Sequence, residues 1–326
     1  MATTQAASAQ APDAFFRGKT VTFYVGFAAG GSYDFYARLI ARFIGKYLPG
    51  NPAVIVQNMA GAGSLQATNF LFSGAPKDGT AIGTVTETLA VQEALRAPGV
   101  RYKAAEFNWI GRMTATLQVG VSGAKAKART IKDAMRGEVP MAGTGAGSPS
   151  EGYPKLLNAL AGTRFKIISG YASSPEALRA IESGEVDAAQ TSWDTLKRTK
   201  QDWLSNHAIN ILYQCALERN RDLPDVPTVV ELGRTDEARD VLSFYTSSAE
   251  VGLAILAPPG TPADRIDSWR VAYEATLKDP ALLAEIERAQ IQFQPAPAEV
   301  VKTIVTRTAA TSREIVARTK DVLQAP

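Results

Sequence analysis

Three loops place glycines and hydroxyl or acidic residues where a strand-like pattern passes into a helical one. The first is "FAAGGSYD" (27–34), in which Gly30 and Gly31 permit a sharp turn and Ser32 is a suitable N-cap. The others are "NMAGAGSLQ" (58–66) and "GTGAGSPSEG" (143–152). Because a helix start offers unpaired N–H groups, each loop could bind an anion.

The helical starts carry further signals of their own. Asp34 falls in a first helical turn, where the helix dipole favours an acid, and it lies four residues before Arg38, with which it can pair. Ser148 is followed by Pro149 and then by Glu151, the pattern of an N-cap with a capping box. A plain strand-to-helix turn would explain any one loop. Three of them favour a shared cleft at the carboxyl ends of strands.

The absence of basic residues from these loops limits which anions they can bind. Residues 26–34, 58–66 and 143–152 contain no lysine or arginine, and none matches the glycine-rich motifs that bind nucleotide phosphates. A pyrophosphate or triphosphate carries too much charge for such loops. One or two carboxylates suit backbone N–H groups and helix dipoles, so the sequence predicts a carboxylate ligand.

Catalytic patterns are weak in this chain. The single histidine, His207, precedes a predicted strand and is expected to be a surface or packing residue. No nucleophile elbow, zinc-protease or paired-cysteine motif is present. A carboxylate pair could be assembled from Asp34, Glu87 and Glu151, but capping and charge pairing explain two of these. We therefore predict no enzyme activity, no cofactor and no metal.

Composition excludes several other classes of protein. The chain has 326 residues and a net charge of +3, with its basic residues dispersed, which gives no support for nucleic-acid binding. One cysteine, Cys215, rules out an internal disulfide. No apolar run is long enough to span a membrane.

The first residues have the composition of a processed leader. Residues 1–13 are rich in Ala, Ser, Thr and Gln and contain Ala7-Ser8-Ala9 and Ala9-Gln10-Ala11, which resemble signal-cleavage sites. We interpret this stretch as the tail of an export signal, largely removed, or as a disordered start. The first interpretation predicts a periplasmic protein.

Strand-like runs alternate with helical patterns along the chain. Ten runs read as strands, near residues 21–27, 53–58, 81–85, 107–113, 117–122, 138–143, 165–169, 186–191, 209–214 and 251–257. Helices predicted at 148–162 and 173–184 end at Gly162 and Gly184. This alternation predicts an α/β fold in which two domains, each a mainly parallel sheet flanked by helices, enclose a ligand cleft.

The late strand at 251–257 sets the expected domain limits. We expect it to return the chain to the first domain, so that residues 14–117 and 249–326 form one domain and 118–248 the other. Two hinge crossings are then expected, near 115–120 and 245–250.

The order of motifs resembles one family over residues 18–310. The chain is similar to the extracytoplasmic solute-binding receptors of tripartite tricarboxylate transporters, the Bug-type proteins. The resemblance rests on "GFAAGGSYDFYAR" (26–38), "NMAGAG" (58–63), "PKDGTAI" (76–82), "GAGSPS" (145–150), "GEVDAAQTS" (184–192), "LPDVPTVVELG" (223–233) and "LAPPGTPADRI" (256–266).

The resemblance implies a two-domain clamp that binds a small organic acid for a membrane permease. It implies a ligand carboxylate held at two facing helix starts, by the first loop and the G-x-G-S loop. We expect the binding residues to be Phe27, Gly30, Gly31, Ser32, Tyr33, Asp34, Gly63, Ser64, Thr86, Glu87, Gly145, Ala146, Gly147, Ser148, Tyr171, Thr191 and Ser192. Tyr33, where relatives carry a smaller residue, is expected to line the space beyond the carboxylate. The protein is expected to be a monomer.

Two alternatives remain open at this point. A receptor that senses a ligand for a signalling partner would use the same fold. A metal-free α/β lyase or isomerase would need a strong acid/base pair in the cleft, for which the sequence offers no histidine.

Overall fold

The computed structural model describes residues 15–324, which form two sheets with helices packed on both faces of each. The predicted leader at residues 1–13 lies outside the described residues. The strands are β1 Thr20–Val25, β2 Ala53–Asn58, β3 Ala81–Thr84, β4 Asn108–Arg112, β5 Gln118–Gly123, β6 Val139–Gly143, β7 Phe165–Ser169, β8 Ala188–Ser192, β9 Ile209–Cys215, β10 Ala254–Ala257 and β11 Ala296–Pro297.

Thirteen α-helices connect and cover these strands within the described part of the chain. They are α1 Ser32–Ile44, α2 Leu65–Ser73, α3 Leu89–Ala94, α4 Ile131–Arg136, α5 Pro149–Ala161, α6 Ser174–Ser183, α7 Trp193–Thr199, α8 Gln201–Ser205, α9 Asp236–Thr246, α10 Ala263–Thr276, α11 Pro280–Ala289, α12 Ala298–Ala309 and α13 Arg313–Gln324. As predicted, α5 and α6 end at Gly162 and Gly184, which both adopt the left-handed conformation with φ of 76°.

The two sheets are mixed rather than mainly parallel. The first has the order β11-β4-β10-β3-β1-β2, and the second β7-β6-β8-β5-β9. Parallel pairing, as predicted, joins β1 to β2 and β3, and β6 to β7 and β8. The other pairs are antiparallel: β10 with β3 and β4, β5 with β8 and β9, and the short β11 with β4.

Alternating side chains build the core of the first sheet. Along β1, Val21, Phe23 and Val25 are fully buried against α1 and α10, where they meet Ile40 and Trp269. This β-branched and aromatic strand therefore anchors the start of α1 firmly, and with it the first glycine loop.

Two neighbouring segments link the sheets near the expected hinge positions. Residues 113–117 lead from β4 to β5, and residues 247–253 lead back from α9 to β10. They run side by side, with Leu253 N–H donating to Thr114 O at 2.9 Å and Thr116 N–H to Ala249 O at 3.2 Å. Such a paired linker can bend as one hinge.

The last helix departs from the expected domain assignment. Residues 249–326 were all expected beside the first sheet, and β10 and α10 to α12 are found there. Helix α13 instead packs on α5 and α9, beside the second sheet. Its apolar side chains, Ile315, Val316 and Val322 among them, join that core, so the chain crosses between the halves a third time. The exact domain limits stay a prediction.

Candidate functional site

The first glycine loop brings the start of α1 to the space between the two sheets. The N-cap is Gly31 rather than the predicted Ser32, which is the first helical residue. The Ser32 hydroxyl is therefore free to reach across the cleft, where it contacts the Ser192 hydroxyl and lies 2.9 Å from Thr195 Oγ1. Within residues 15–324, the N–H groups of Ser32 and Tyr33 donate to no protein acceptor, as expected at a helix start.

Asp34 shapes this loop from within. Its carboxylate accepts from Gly30 N–H and Arg38 Nε, each at 2.9 Å, and from Asn58 Nδ2 at 2.9 Å. Burial acts to raise the pKa of Asp34, but these hydrogen bonds outweigh it and hold the pKa below its ordinary value. One carboxylate oxygen is thus used inside the loop and the other ties it to α1 and the end of β2, and the predicted pairing with Arg38 is found.

The start of α5 faces the same space. Ser148 is the N-cap and Pro149 the first helical residue, as predicted. The predicted capping box does not form, because Glu151 Oε1 accepts from Gly145 N–H at 2.9 Å while the Ser148 hydroxyl lies 2.9 Å from that of Ser150. In the described chain, the Ser150 N–H has no protein acceptor.

A third helix start, that of α6, completes the arrangement. Its N-cap is Ser173, followed by Ser174 and a proline in the first turn. The sequence predicted the helix but not its place at the site, because the loop before it contains a single glycine, Gly170, rather than a glycine-rich run. Three helices of ten or more residues therefore direct the positive ends of their dipoles to one region.

Between these helix starts lies a cavity of about 40 Å³. No lysine, arginine, aspartate or glutamate is among its lining residues in the described structure. Its walls are hydroxyls, amides, backbone and two aromatic rings, contributed by Phe27, Ala28, Gly31, Ser32, Tyr33, Gln118, Thr144, Pro149, Ser150, Ser173, Ser174, Gln190 and Ser192.

Gln118 and Gln190 form part of the wall opposite α1, and sequence reasoning missed both. They stand on adjacent strands, β5 and β8, where Gln118 pairs with Ser192 and Gly120 with Gln190. Alternation along β8 places Gln190 and Ser192 on one face and Thr191 on the other. Thr191 accordingly is not a lining residue, although its neighbours are.

Tyr33 lines the cavity with its ring and turns its hydroxyl away from it. The ring packs on Phe27, with centroids 4.6 Å apart. The hydroxyl donates to Glu87 and also accepts from the Glu87 N–H at 3.1 Å. Glu87 therefore lies behind Tyr33 rather than at the cavity surface, as does Thr86, whose N–H donates to the Ser64 hydroxyl at 3.1 Å.

Glu87 is a buried carboxyl without a cationic partner in the described residues. Its other oxygen accepts from Thr116 Oγ1 at 3.2 Å, beside the first hinge segment. Burial raises the pKa of Glu87 to about 7. The group is therefore partly protonated near neutral pH.

The second and third glycine loops pack against each other. A Cβ on Gly63 would lie 2.7 Å from Ala146 O and 2.8 Å from Ser148 N, and one on Gly145 would lie 2.7 Å from Gly63 N. Beside them, the Thr88 hydroxyl donates to Gly147 O at 2.8 Å. These glycines bring two backbones of opposite halves into contact, and none of them lines the cavity.

Tyr171 lies outside the cavity wall as well. Its hydroxyl donates to Glu185 Oε1 at 2.6 Å, and this hydrogen bond raises the pKa of Tyr171 to about 12. Ser173 and Ser174, two and three residues later, occupy the wall instead.

Further contacts hold the two halves together. The Tyr36 hydroxyl of α1 donates to Asp194 Oδ2 of α7 at 2.9 Å, and Arg198 donates to Gly30 O at 3.0 Å. Burial raises the pKa of Asp194. The halves are thus closed over the cavity.

Three further features of residues 15–324 lie outside the cavity. His207 is exposed between α8 and β9, away from the lining residues. Over residues 15–324 no group of three His, Cys, Asp or Glu side chains is arranged for a metal ion. No described helix combines the length and apolarity needed to cross a bilayer.

Known proteins are similar to this chain in both sequence and fold. The family model described as "Tripartite tricarboxylate transporter family receptor" matches residues 37–320. The UPF0065 protein in the TAR-I ttuE-ttuC' intergenic region of Agrobacterium vitis is 30% identical over 284 residues, which cover 84% of this chain and 76% of that protein.

Two solved structures show the same architecture. The periplasmic binding protein BugD has a TM-score of 0.74 at 20% identity, with 94% of this chain and 98% of that chain covered. MatC (Rpa3494) from Rhodopseudomonas palustris, solved with bound malate, has a TM-score of 0.71 at 21% identity, with 95% and 100% covered. This confirms the predicted periplasmic-binding-protein-like fold of two α/β halves.

The family match spans residues 37–320, and the fold agrees with BugD over 94% of the chain. The chain belongs to the receptor family of tripartite tricarboxylate transporters, whose members are extracytoplasmic solute-binding receptors and not enzymes.

Proposed function

We propose that this receptor captures a small organic acid in the cavity between its halves and presents it to the permease subunits of a tripartite transporter. The observation that carries the proposal is the convergence of the α1, α5 and α6 starts on a cavity without charged side chains. Unpaired N–H groups at Ser32, Tyr33 and Ser150 would hold the carboxylate.

The electrostatic attraction that the three helix starts exert on an anion suits a carboxylate better than a phosphate. Each helix start contributes on the order of 1 kcal/mol toward an anion. Asp34 and Glu151 offset part of it from the first turns of α1 and α5. A dianion without a lysine or arginine would therefore be held poorly, whereas a single negative charge is matched. The related MatC was solved with malate, which supports a carboxylate as the group that is bound; malate carries a second carboxylate, so it does not support the single charge.

We propose two tiers of residues at the site. Phe27, Gly31, Ser32, Tyr33 and Ser192 contact the ligand, together with the lining side chains found on β5, β8 and α6. The remaining predicted residues act one layer further out. Asp34 shapes the first loop, Glu87 holds Tyr33, and Gly63, Gly145 and Gly147 allow the loops to meet.

We further propose that residues 15–117 with 249–312 move as one body and 118–248 with α13 as the other. The paired hinge segments and the packing of α13 support this division. The protein would act as a monomer outside the cytoplasm, after removal of an export signal.

A thermal-shift screen of the purified chain against mono- and dicarboxylates, sugar phosphates and nucleotides tests the proposal. At a ligand concentration 100 times its Kd, the native state gains roughly 2.7 kcal/mol, which raises the melting temperature measurably. We expect organic acids alone to do so. Stronger stabilisation by a sugar phosphate or a nucleotide would overturn the proposal, and turnover of a bound acid would support the enzyme alternative.

A further inference from the structure

One polar group of the cavity wall has no partner. Gln190 is 2% exposed and lines the cavity, and its Nε2 donates to no acceptor within residues 15–324. Leaving a buried donor unpaired costs roughly 1–3 kcal/mol. A group in this position is expected to meet an acceptor when the cavity is filled.

Tyr213 fixes which way this amide faces. The Tyr213 hydroxyl lies 3.0 Å from Gln190 Oε1, its one hydrogen bond among the described residues. Tyr213 fits there because Gly120 has no side chain, since a Cβ would lie 2.2 Å from the ring. Burial raises the pKa of Tyr213, so the hydroxyl keeps a proton to donate. Oε1 accepts that proton, and the NH₂ group remains for the cavity.

The surroundings of Gln190 favour an uncharged acceptor. Its neighbours on the same wall, Gln118 and Ser192, are neutral, and no cation lines the described cavity. An acid, Glu87, lies behind this region, beyond Tyr33 and Gln118. A second carboxylate at this wall would meet an acid and no compensating charge, whereas a hydroxyl or carbonyl oxygen would meet only the amide.

We propose that Gln190 is a specificity-determining residue that donates to a hydroxyl or carbonyl oxygen of a short monocarboxylic acid. The ligand class is therefore a short hydroxy or keto monocarboxylate. The cavity volume of about 40 Å³ agrees with a short acid. This inference rests on the proposed function, because the carboxylate end is placed at the helix starts.

Calorimetry on the full chain with propionate, lactate, pyruvate and succinate tests the inference. We expect lactate or pyruvate to bind at least about tenfold more tightly than propionate, the effect of one well-placed hydrogen bond. Succinate should bind more weakly than either. In Gln190→Leu the advantage over propionate should disappear, while propionate itself binds within about twofold of its original affinity.

Two further variants separate recognition from structural damage. Gln190→Leu removes the acceptor for Tyr213, so the double variant Gln190→Leu/Tyr213→Phe replaces both partners by apolar groups, which is close to neutral for stability. It should fold and show the same loss of discrimination. Gln201→Leu, an exposed glutamine on α8 outside the cavity, is the matched control and should bind all four acids as the unaltered protein does.

The possible failures point to different parts of the account. If the unaltered protein binds none of the four acids or any other carboxylate, the proposed function is wrong. If it binds acids but succinate binds most tightly, the ligand class is wrong while the receptor function stands. If the Gln190 variants lower propionate and lactate affinity equally, Gln190 does not read the second oxygen.

Discussion

At the scale of single residues, Glu87 has the least usual environment in the described structure. Its carboxylate accepts hydrogen bonds from the hydroxyls of Tyr33 and Thr116, and no lysine or arginine among the described residues compensates its charge. The ionisable groups coupled to it are Tyr153, Tyr245 and Cys215, and burial raises the pKa of all three, so they stay neutral at moderate pH. Glu87 is therefore the group here that titrates near pH 7.

This shift predicts a pH dependence of stability. The pKa of Glu87 is about 7 in the folded protein against 4.5 ordinarily, so the folded state binds more protons between these values. The contribution of Glu87 to the free energy of unfolding is fully present below about pH 4.5. It is lost as the pH rises to about 7, and the total loss is on the order of 3 kcal/mol. Glu87→Gln, which does not titrate, should gain stability relative to the unaltered protein between pH 5 and pH 8.

Urea unfolding of both proteins at several pH values measures that difference. The other titrating groups cancel, because they are common to the two chains. A stability difference that stays constant from pH 5 to pH 8 would mean that Glu87 has an ordinary pKa.

Sequence reasoning located cavity-lining residues where local rules apply, while their role in binding stays a prediction. Gly31, Ser32 and Tyr33 reached the cavity because a strand-to-helix turn fixes where they lie. It failed where two distant segments decide the outcome. Which face of "VDAAQT" meets the cleft depends on pairing with β5, so Gln190 could not be distinguished from Thr191. The Tyr33–Glu87 contact spans 54 positions and has no local signal.

At the scale of elements, the glycine loops divide into two kinds. The first loop turns the chain into α1 at the cavity. The second loop and the start of the third exist as a pair, because their backbones touch at Gly63 and Gly145. The sequence indicated that backbone approaches something closely in each loop, but a ligand and another loop leave the same glycine signal.

This pairing predicts that a methyl group at Gly63 opposes closure. In Gly63→Ala the Cβ would lie 2.7 Å from Ala146 O, a contact made only when the halves meet. We expect affinity for the tightest acid of the screen to fall at least about tenfold, equivalent to about 1.4 kcal/mol. Titration calorimetry measures this loss.

Gly184→Ala is the control for backbone strain. Gly184 has φ of +76°, close to the +61° of Gly63, and nothing lies within 4 Å of its added Cβ. Both variants should lose about 1 kcal/mol of stability without ligand. Equal affinities for the two variants would show that the loop contact does not matter for binding.

At the scale of the whole molecule, the fold is a hinged pair of halves held by polar contacts across the cleft. The positions of ten strands and the return of β10 to the first sheet followed from the sequence pattern, because strands are short apolar runs between clear turns. The position of α13 did not follow. Its amphipathic pattern shows that one face is buried but not against which half.

The Tyr36–Asp194 contact predicts a measurable preference for the closed form. In Tyr36→Phe the hydroxyl that Asp194 shares with the Gln292 carbonyl oxygen is lost, and with it the contact across the cleft. The closed form should lose the free energy of one hydrogen bond to a carboxyl group. The affinity for the bound acid should therefore fall about threefold to tenfold. Small-angle scattering without ligand should show a larger radius of gyration.

Tyr47→Phe removes a comparable hydrogen bond inside one half, where the hydroxyl donates to Asp279 Oδ2 at 3.0 Å. It should leave both affinity and radius of gyration unchanged. A larger radius of gyration in Tyr47→Phe, or no increase in Tyr36→Phe, would argue against the idea that the cross-cleft contact stabilises the closed form.

The central claim is that helix-start N–H groups hold one carboxylate in this cavity. The most direct measurement is calorimetric comparison of the tightest-binding acid with its own primary amide, which keeps the shape and removes the charge. The account predicts that the acid binds at least about tenfold more tightly, since three helix dipoles and unpaired N–H groups favour the anion. Equal or tighter binding of the amide would contradict it.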